Sequence, residues 1–158
     1  ISYNLHPHKI ERLGLTKAIA SMLNLAEQSS GIKIDASLDN IDGMFGKDLE
    51  LNVYRILQEL VNNIIKHSKA KNAVFEISAG SSNVYLNVSD DGEGIRDPDS
   101  AEKGSSGLGL MSISTRLRLY GGRMEIKAPE YGGTSIRIII PQKTKEDENS
   151  RQSKTDNS

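Results

Sequence analysis

Glu59 and Asn63 lie four residues apart in the run Y-R-I-L-Q-E-L-V-N-N-I-I-K-H-S. On a helix that spacing stacks the two side chains one turn apart. The segment reads as a helix because Val53, Ile56, Leu57, Leu60, Val61, Ile64 and Ile65 recur at its period. The polar stripe sits away from that apolar face, and Lys66 and His67 extend it. A carboxylate beside a carboxamide offers hard oxygen donors, which suit Mg²⁺. A solvated helix face of ordinary polar residues would look the same.

Asp90-Asp91-Gly92-Glu93-Gly94-Ile95 follows a strand-like run. A carboxylate at a strand end can accept a hydrogen bond from an exocyclic amine such as that of adenine. Glycines there let a ligand approach the backbone closely. Asp and Gly are also the commonest turn residues, so a tight turn is the competing reading. Gly104-Ser105-Ser106-Gly107-Leu108-Gly109-Leu110 then opens a helix. Free N–H groups at a helix start favour phosphate, although a flexible linker is equally consistent. The run lacks the Gly-Lys-Ser/Thr of a Walker loop and the βαβ setting of a dinucleotide turn. His6 and His8 flank Pro7 without a third ligand nearby, so no metal site is expected there.

These residues need elements to position them. An opening helix enters through Pro7, with Ile10, Leu13, Ala18, Ile19, Met22 and Leu23 inward, and stops at Gly31. Residues 32–38 alternate as a strand. Residues 39–47 form a loop, and Asp48 is placed to cap the helix that ends near His67. Strands over 73–79 and 84–89 join through Gly80–Asn83. After a long loop over 90–109 come a helix over 108–119 and two strands, 123–128 and 134–141, joined through Gly132-Gly133. Leu108, Met111, Leu117 and Leu119 read as core or lid packing. This order predicts an α/β two-layer sandwich: one mixed, mostly antiparallel sheet with helices on one face. Residues 142–158 are almost wholly polar and are expected to be disordered.

Composition narrows the classes. The chain has 158 residues, the size of one domain. Lys and Arg number 20 against 21 Asp and Glu, for a net charge of -1. That balance argues against nucleic-acid binding by bulk basicity and against a polybasic membrane module. Cysteine is absent, which excludes disulfides, thiol catalysis and cysteine metal sites. Aromatic residues make up 4%, too few for a base-stacking platform. No apolar run approaches the roughly 18 residues that cross a bilayer. The chain opens on Ile1 and reads as a piece of something longer.

Taken in order, E-x-x-x-N on a helix, D-x-G-x-G after a strand, G-x-x-G-L-G-L opening a helix and G-G-T-S in the last hairpin resemble the Bergerat-fold ATPases. That superfamily includes gyrase, heat-shock chaperone, histidine kinase and mismatch-repair ATPases. The opening L-H-P-H-K-I-E-R-L-G-L and the Lys66-His67 pair are similar to the sensor histidine kinases that work with NarL-type response regulators. The resemblance covers residues 3 to 141. It implies a connector over 1–14, an ATP-binding catalytic domain over 15–141 and a tail over 142–158.

The resemblance also implies roles. Asp90 would accept from the adenine amine, with Thr134 supporting it, and Gly92 and Gly94 would let the purine lie against the strand end. Asn63 would bind Mg²⁺ between the ATP phosphates, and Glu59 would sit near that metal and orient or deprotonate a group during transfer. Lys66 and His67 would face the phosphates. Gly104, Gly107 and Gly109 would hinge a lid, with Ile95, Leu108 and Leu110 as further nucleotide contacts and Lys103 in reach of the γ-phosphate. The reaction implied is γ-phosphoryl transfer from ATP to a histidine on a dimerisation domain. In that family an acidic residue follows the acceptor histidine; His6, His8 and His67 lack one, so the acceptor is expected upstream. The partners implied are that dimerisation domain and a NarL-type response regulator, with no nucleic acid. The piece is expected to be monomeric, and its parent a homodimer acting in the cytoplasm or from the inner membrane. Nucleotide-gated clamps and anti-sigma-type serine kinases share the motifs. Clamps need a transducer domain after the ATPase, and the connector argues against the serine kinases.

Overall fold

The structure is a computed structural model that describes residues 6–94 and 108–143. Its elements are α1 (His6–Leu13), α2 (Leu15–Ser30), β1 (Lys33–Leu38), α3 (Lys47–Asn63), a π-helical turn (Ile64–Ser68), β2 (Asn72–Ala79), β3 (Asn83–Asp90), α4 (Leu108–Arg118), β4 (Arg123–Lys127) and β5 (Thr134–Pro141). The strands form one sheet in the order β1-β2-β3-β5-β4. Only β1 and β2 pair in parallel; the other pairs are antiparallel. The sheet is therefore mixed and mostly antiparallel, as the element order predicts.

Side chains alternate across each strand. Phe75 and Ile77, Leu86 and Val88, and Ile136 and Ile138 are buried on one face beneath the helices. Register lines them up: Phe75 lies opposite Val88, which lies opposite Ile136, and Ile136 opposite Ile126. The other face carries exposed Glu76, Ser78 and Arg137, with Arg137 stacked 5.0 Å from the Tyr85 ring centre. One apolar face covered by α2, α3 and α4 makes two layers.

Two local expectations need correction. The opening helix is two helices, because Gly14 takes φ +82 between them, where L side chains are strained. The apolar spacing continues across the break and so hides it. Asp48 does not cap α3. Gly46 holds the cap position without a side-chain bond, and Asp48 falls within the first turn, where its charge suits the helix dipole.

The first turn of α2, by contrast, receives a side-chain bond from a distant loop. Asp42, from the loop before α3, accepts the Thr16 N–H at 2.8 Å, and Thr16 Oγ1 accepts the Ile41 N–H at 3.0 Å. Replacing Asp42 with Ala should therefore lower stability by about 1 kcal/mol. Urea denaturation checks this; an unchanged midpoint would mean that water replaces the cap without loss.

Candidate functional site

In the β3–β5 pairing, Leu86 lies opposite Ile138, Val88 opposite Ile136 and Asp90 opposite Thr134. Alternation puts Leu86, Val88 and Asp90 on the same, helix-covered face. Asp90 thus ends an apolar column, and buried Thr134 ends the neighbouring one. Burial pushes the Asp90 carboxyl above the usual carboxylate range. The Gly92 N–H, donated to Oδ1 at 2.8 Å, opposes that shift, and the charge of Asp91 adds to it. Among the described residues Oδ2 has no hydrogen-bond partner.

Asp90 and Thr134 open into a cleft of about 130 Å³. Val88 and Ile136 continue its apolar lining from the sheet, Leu60 and Ile64 from α3, and Leu110 from α4. Asn63, His67, Ser68 and Gly94 supply the polar parts of its wall. Asn63 reaches it because it lies three residues from Leu60 and next to Ile64, at the edge of the buried stripe. The π-helical turn widens the end of this helix and changes its phase. His67 then lines the cleft, while Lys66 is exposed and does not.

Three backbone segments converge beside Asp90. The Ser68 carbonyl accepts the Glu93 N–H at 2.7 Å, and a Cβ on Gly92 would run into that same carbonyl. Gly94 takes φ +80, and a Cβ there would lie 2.6 Å from the Gly133 carbonyl oxygen. Gly133 takes φ +83, and its Cβ would run into the Asp90 carbonyl. Glycine is needed at these points for close approach, beyond turn preference.

Asp91 faces away from the cleft. It accepts the Asn72 side-chain N–H at 2.8 Å and the backbone N–H groups of Asn72 at 2.9 Å and Lys71 at 2.8 Å. The Asn72 side-chain bond, then the two backbone bonds, hold its carboxyl below the usual range. A depressed carboxylate contributes stability above its unfolded pKa of about 3.9 and loses it as pH falls through the lower folded value. The stability gap between the parent chain and Asp91→Ala should therefore be full at neutral pH and close in acid. Denaturation midpoints at pH 7 and pH 3 measure it; a gap of constant size would remove the ionised form from the account.

The remaining sequence candidates separate. Glu59 lines an adjoining groove between α3 and α4, not the cleft itself. Gly109 is where α4 passes Glu59, since a Cβ there would run into the carboxylate. Leu108 opens α4. Ile95, Lys103, Gly104 and Gly107 lie outside the described residues. The sequence reading places Leu60 and Ile64 on the apolar face of the helix and singles out none of Ser68, Val88 and Ile136; all five line the cleft. Among the described residues no group of three or more His, Cys, Asp or Glu could hold a metal. The oxygen of Asn63 at the cleft wall fits a metal that brings most of its ligands with it.

Residues 48–144 match the family described as histidine kinase-, DNA gyrase B- and HSP90-like ATPase. The sensor histidine kinase ComP of Bacillus subtilis is 29% identical over 138 residues, covering 87% of this chain and 18% of ComP. The histidine-protein kinase/phosphatase DegS of Brevibacillus brevis is 27% identical over 146 residues, covering 92% of this chain and 37% of DegS. The chain thus spans less than two fifths of the length of either relative. Full-length ShkA, solved in complex with AMPPNP, has a TM-score of 0.65 at 24% identity over 83% of this chain and 30% of ShkA, a likeness of fold. The family match takes in more than half of the chain and every residue that lines the cleft. The chain therefore belongs to the histidine kinase-, DNA gyrase B- and HSP90-like ATPase family, as the ATP-binding catalytic domain that sensor histidine kinases carry.

Proposed function

We propose that this chain binds Mg·ATP in the Asp90 cleft and transfers the γ-phosphoryl to a histidine on a dimerisation domain, for relay to a NarL-type response regulator. The observation that carries the reading is Asp90 itself. It is a single carboxylate at the end of an apolar column, with one oxygen held by Gly92 and the other unpartnered among the described residues. Apolar walls of this kind suit a purine face, and the free oxygen suits the adenine amine. Thr134, directly opposite Asp90, supports that end of the ring.

Asn63 and His67 lie toward the phosphate end in this reading. Asn63 offers an oxygen to Mg²⁺, which neutralises phosphate charge when bound. In the transfer, the bond from the γ-phosphorus to the bridging oxygen of ADP breaks and a bond to an imidazole nitrogen forms. The imidazole N–H proton leaves, and in this reading Glu59, in the groove that adjoins the cleft, takes it. Little covalent work falls to the protein, so positioning and charge dominate. In this reading residues 15–141 form the catalytic domain and follow a connector over 1–14, a division that the positive φ of Gly14 between α1 and α2 supports. Residues 142–158 are a polar tail. The parent is a homodimer acting in the cytoplasm or from the inner face of a membrane.

The test mixes this chain with a separately supplied histidine-bearing dimerisation domain and ATP labelled at the γ-phosphate. The expected product is a phosphate on that domain that is labile to acid and stable to alkali. Acid-stable phosphate would make serine the acceptor. Binding of nucleotide without any transfer would leave an ATPase module and overturn the kinase reading.

A further inference from the structure

The turn that carries Asp90 is tied to the segment 68–72, which leaves the π-helical turn, at two places, one on each side of Gly92. On one side, Asp91 Oδ1 accepts the Lys71 N–H at 2.8 Å and the Asn72 N–H at 2.9 Å, and Oδ2 accepts the Asn72 side-chain N–H at 2.8 Å. The Asp91 N–H in turn donates to the Asn72 carbonyl at 3.1 Å. On the other side, the Glu93 N–H donates to the Ser68 carbonyl at 2.7 Å. Lys69, between these anchor points, has φ +53, the only positive value at a non-glycine among the described residues. Such a backbone persists where its surroundings hold it. The Lys69–Glu93 ion pair, at 3.2 Å, has both side chains more than half exposed, so it holds little.

Asp91 itself does not line the cleft, whereas its neighbours do: Asp90 and Gly94 on its own turn, and His67 and Ser68 across from it. Its charge is no help to an anionic nucleotide. Burial is the main cause that raises the Asp90 pKa, and the Asp91 charge adds to it, so Asp91 disfavours the ionised form of its neighbour. Whatever Asp91 gives to the cleft it therefore gives through hydrogen-bond geometry, against its own electrostatics. A carboxylate suits that task, because its two oxygens together take up the N–H groups that Lys71 and Asn72 would otherwise offer to water.

We propose that Asp91 is a positioning residue of the nucleotide cleft: by holding Lys71 and Asn72 it fixes the Asp90–Gly94 turn against Ser68, and so sets Asp90 relative to Asn63 and His67. The proposal rests on the reading of that cleft as the Mg·ATP site, and it adds a residue that acts on the nucleotide only through others.

The experiment titrates Mg·AMPPNP calorimetrically into the parent chain, Asp91→Ala, Asp91→Asn and Asp91→Glu, at pH 7 and well below each melting temperature. Amide hydrogen exchange at Glu93 is followed in the same proteins without nucleotide. Asp91→Ala should bind about fivefold more weakly or worse, because the competent arrangement is then populated only part of the time. Asp91→Asn keeps one oxygen for both backbone N–H groups, and the Asn72 amide can turn its own oxygen toward the new NH₂. It should bind within about twofold of the parent, since that arrangement stays populated. Asp91→Glu keeps the charge but moves it by one methylene, and it should bind more weakly than Asp91→Asn. Glu93 exchange should be faster in Asp91→Ala, although the Glu93 N–H bonds Ser68 and not Asp91. If Asp91→Ala does not fold, the order of the Asn and Glu variants decides. Equal or tighter binding by Asp91→Ala, binding by Asp91→Glu that matches or exceeds that of Asp91→Asn, or unchanged Glu93 exchange in Asp91→Ala would each overturn the proposal. A parent chain that does not bind Mg·AMPPNP overturns the ATP reading and this proposal with it, whereas a parent that binds beside an unaffected Asp91→Ala overturns this proposal alone.

Discussion

Asp90→Asn is expected to bind Mg·AMPPNP about ten- to a hundredfold more weakly than the parent chain in calorimetric titration. The loss follows from the geometry as much as from the charge. Asp90 Oδ1 accepts the Gly92 N–H, which in the proposed reading leaves Oδ2 for the adenine amine. Asn has one oxygen and one NH₂. With its oxygen kept on Gly92, the NH₂ meets the adenine NH₂, donor against donor. With the amide flipped, the same conflict moves to the Gly92 N–H. Either way one buried donor lacks an acceptor, on top of the loss of a charge-assisted bond worth roughly 1.5–3 kcal/mol. A guanine base, with a carbonyl where adenine has its amine, should bind the parent poorly for the related reason that two acceptors would then face each other.

The same substitution should not destabilise the empty protein. Burial raises the Asp90 pKa, so the folded chain holds that proton more tightly than the unfolded chain does. The contribution of this group to stability is thus greatest below the unfolded carboxylate pKa and is lost as pH rises through the folded one. At neutral pH the ionised side chain works against folding, and Asp90→Asn removes that penalty. Its melting temperature should equal or exceed that of the parent at pH 7, with the difference vanishing in acid. A variant that binds as tightly as the parent would take Asp90 out of base recognition. One that melts far lower would make it a structural residue.

The parts of the site that follow from side-chain periodicity are legible in the sequence. Alternation up to Val88 places Asp90 at the end of an apolar column, and the 3.6-residue period of α3 places Asn63 beside Leu60 and Ile64. The rest depends on the backbone. The π-helical turn changes the phase after Asn63, so Lys66 leaves the cleft that a continuous stripe would assign it. Ser68 holds the turn after Asp90 through its carbonyl, which accepts the Glu93 N–H and which no side-chain pattern encodes. Asp42 caps a helix 26 residues away in sequence, whereas local rules look for a cap in the adjoining residues. Glu59 and Asn63 do share one side of a helix, but α4 crosses near Gly109 and puts them on different cavities.

The glycines carry information that their turn preference conceals, and Gly133→Ala should expose it. Its positive φ alone strains an L residue by about 1–2 kcal/mol. Its new Cβ would also run into the Asp90 carbonyl. That atom is backbone at the end of the β3–β5 pairing, so it cannot rotate away as a side-chain tip would. Forced repacking of this kind adds about 1–3 kcal/mol. Together they should lower stability by about 2–5 kcal/mol and the melting temperature by roughly 5–15 °C. Gly31→Ala is the internal control. It shares the left-handed backbone, at φ +75, but a Cβ there meets nothing within 4 Å. Any excess loss at Gly133 over Gly31 therefore measures the close approach itself. Gly92→Ala separates the consequences further. Its Cβ meets the Ser68 carbonyl, the acceptor of the Glu93 N–H, so it should weaken AMPPNP binding by displacing the turn that holds Asp90 Oδ1. If Gly133→Ala melts no lower than Gly31→Ala, the hairpin has room to move and the rigid junction behind Asp90 is not what shapes the cleft.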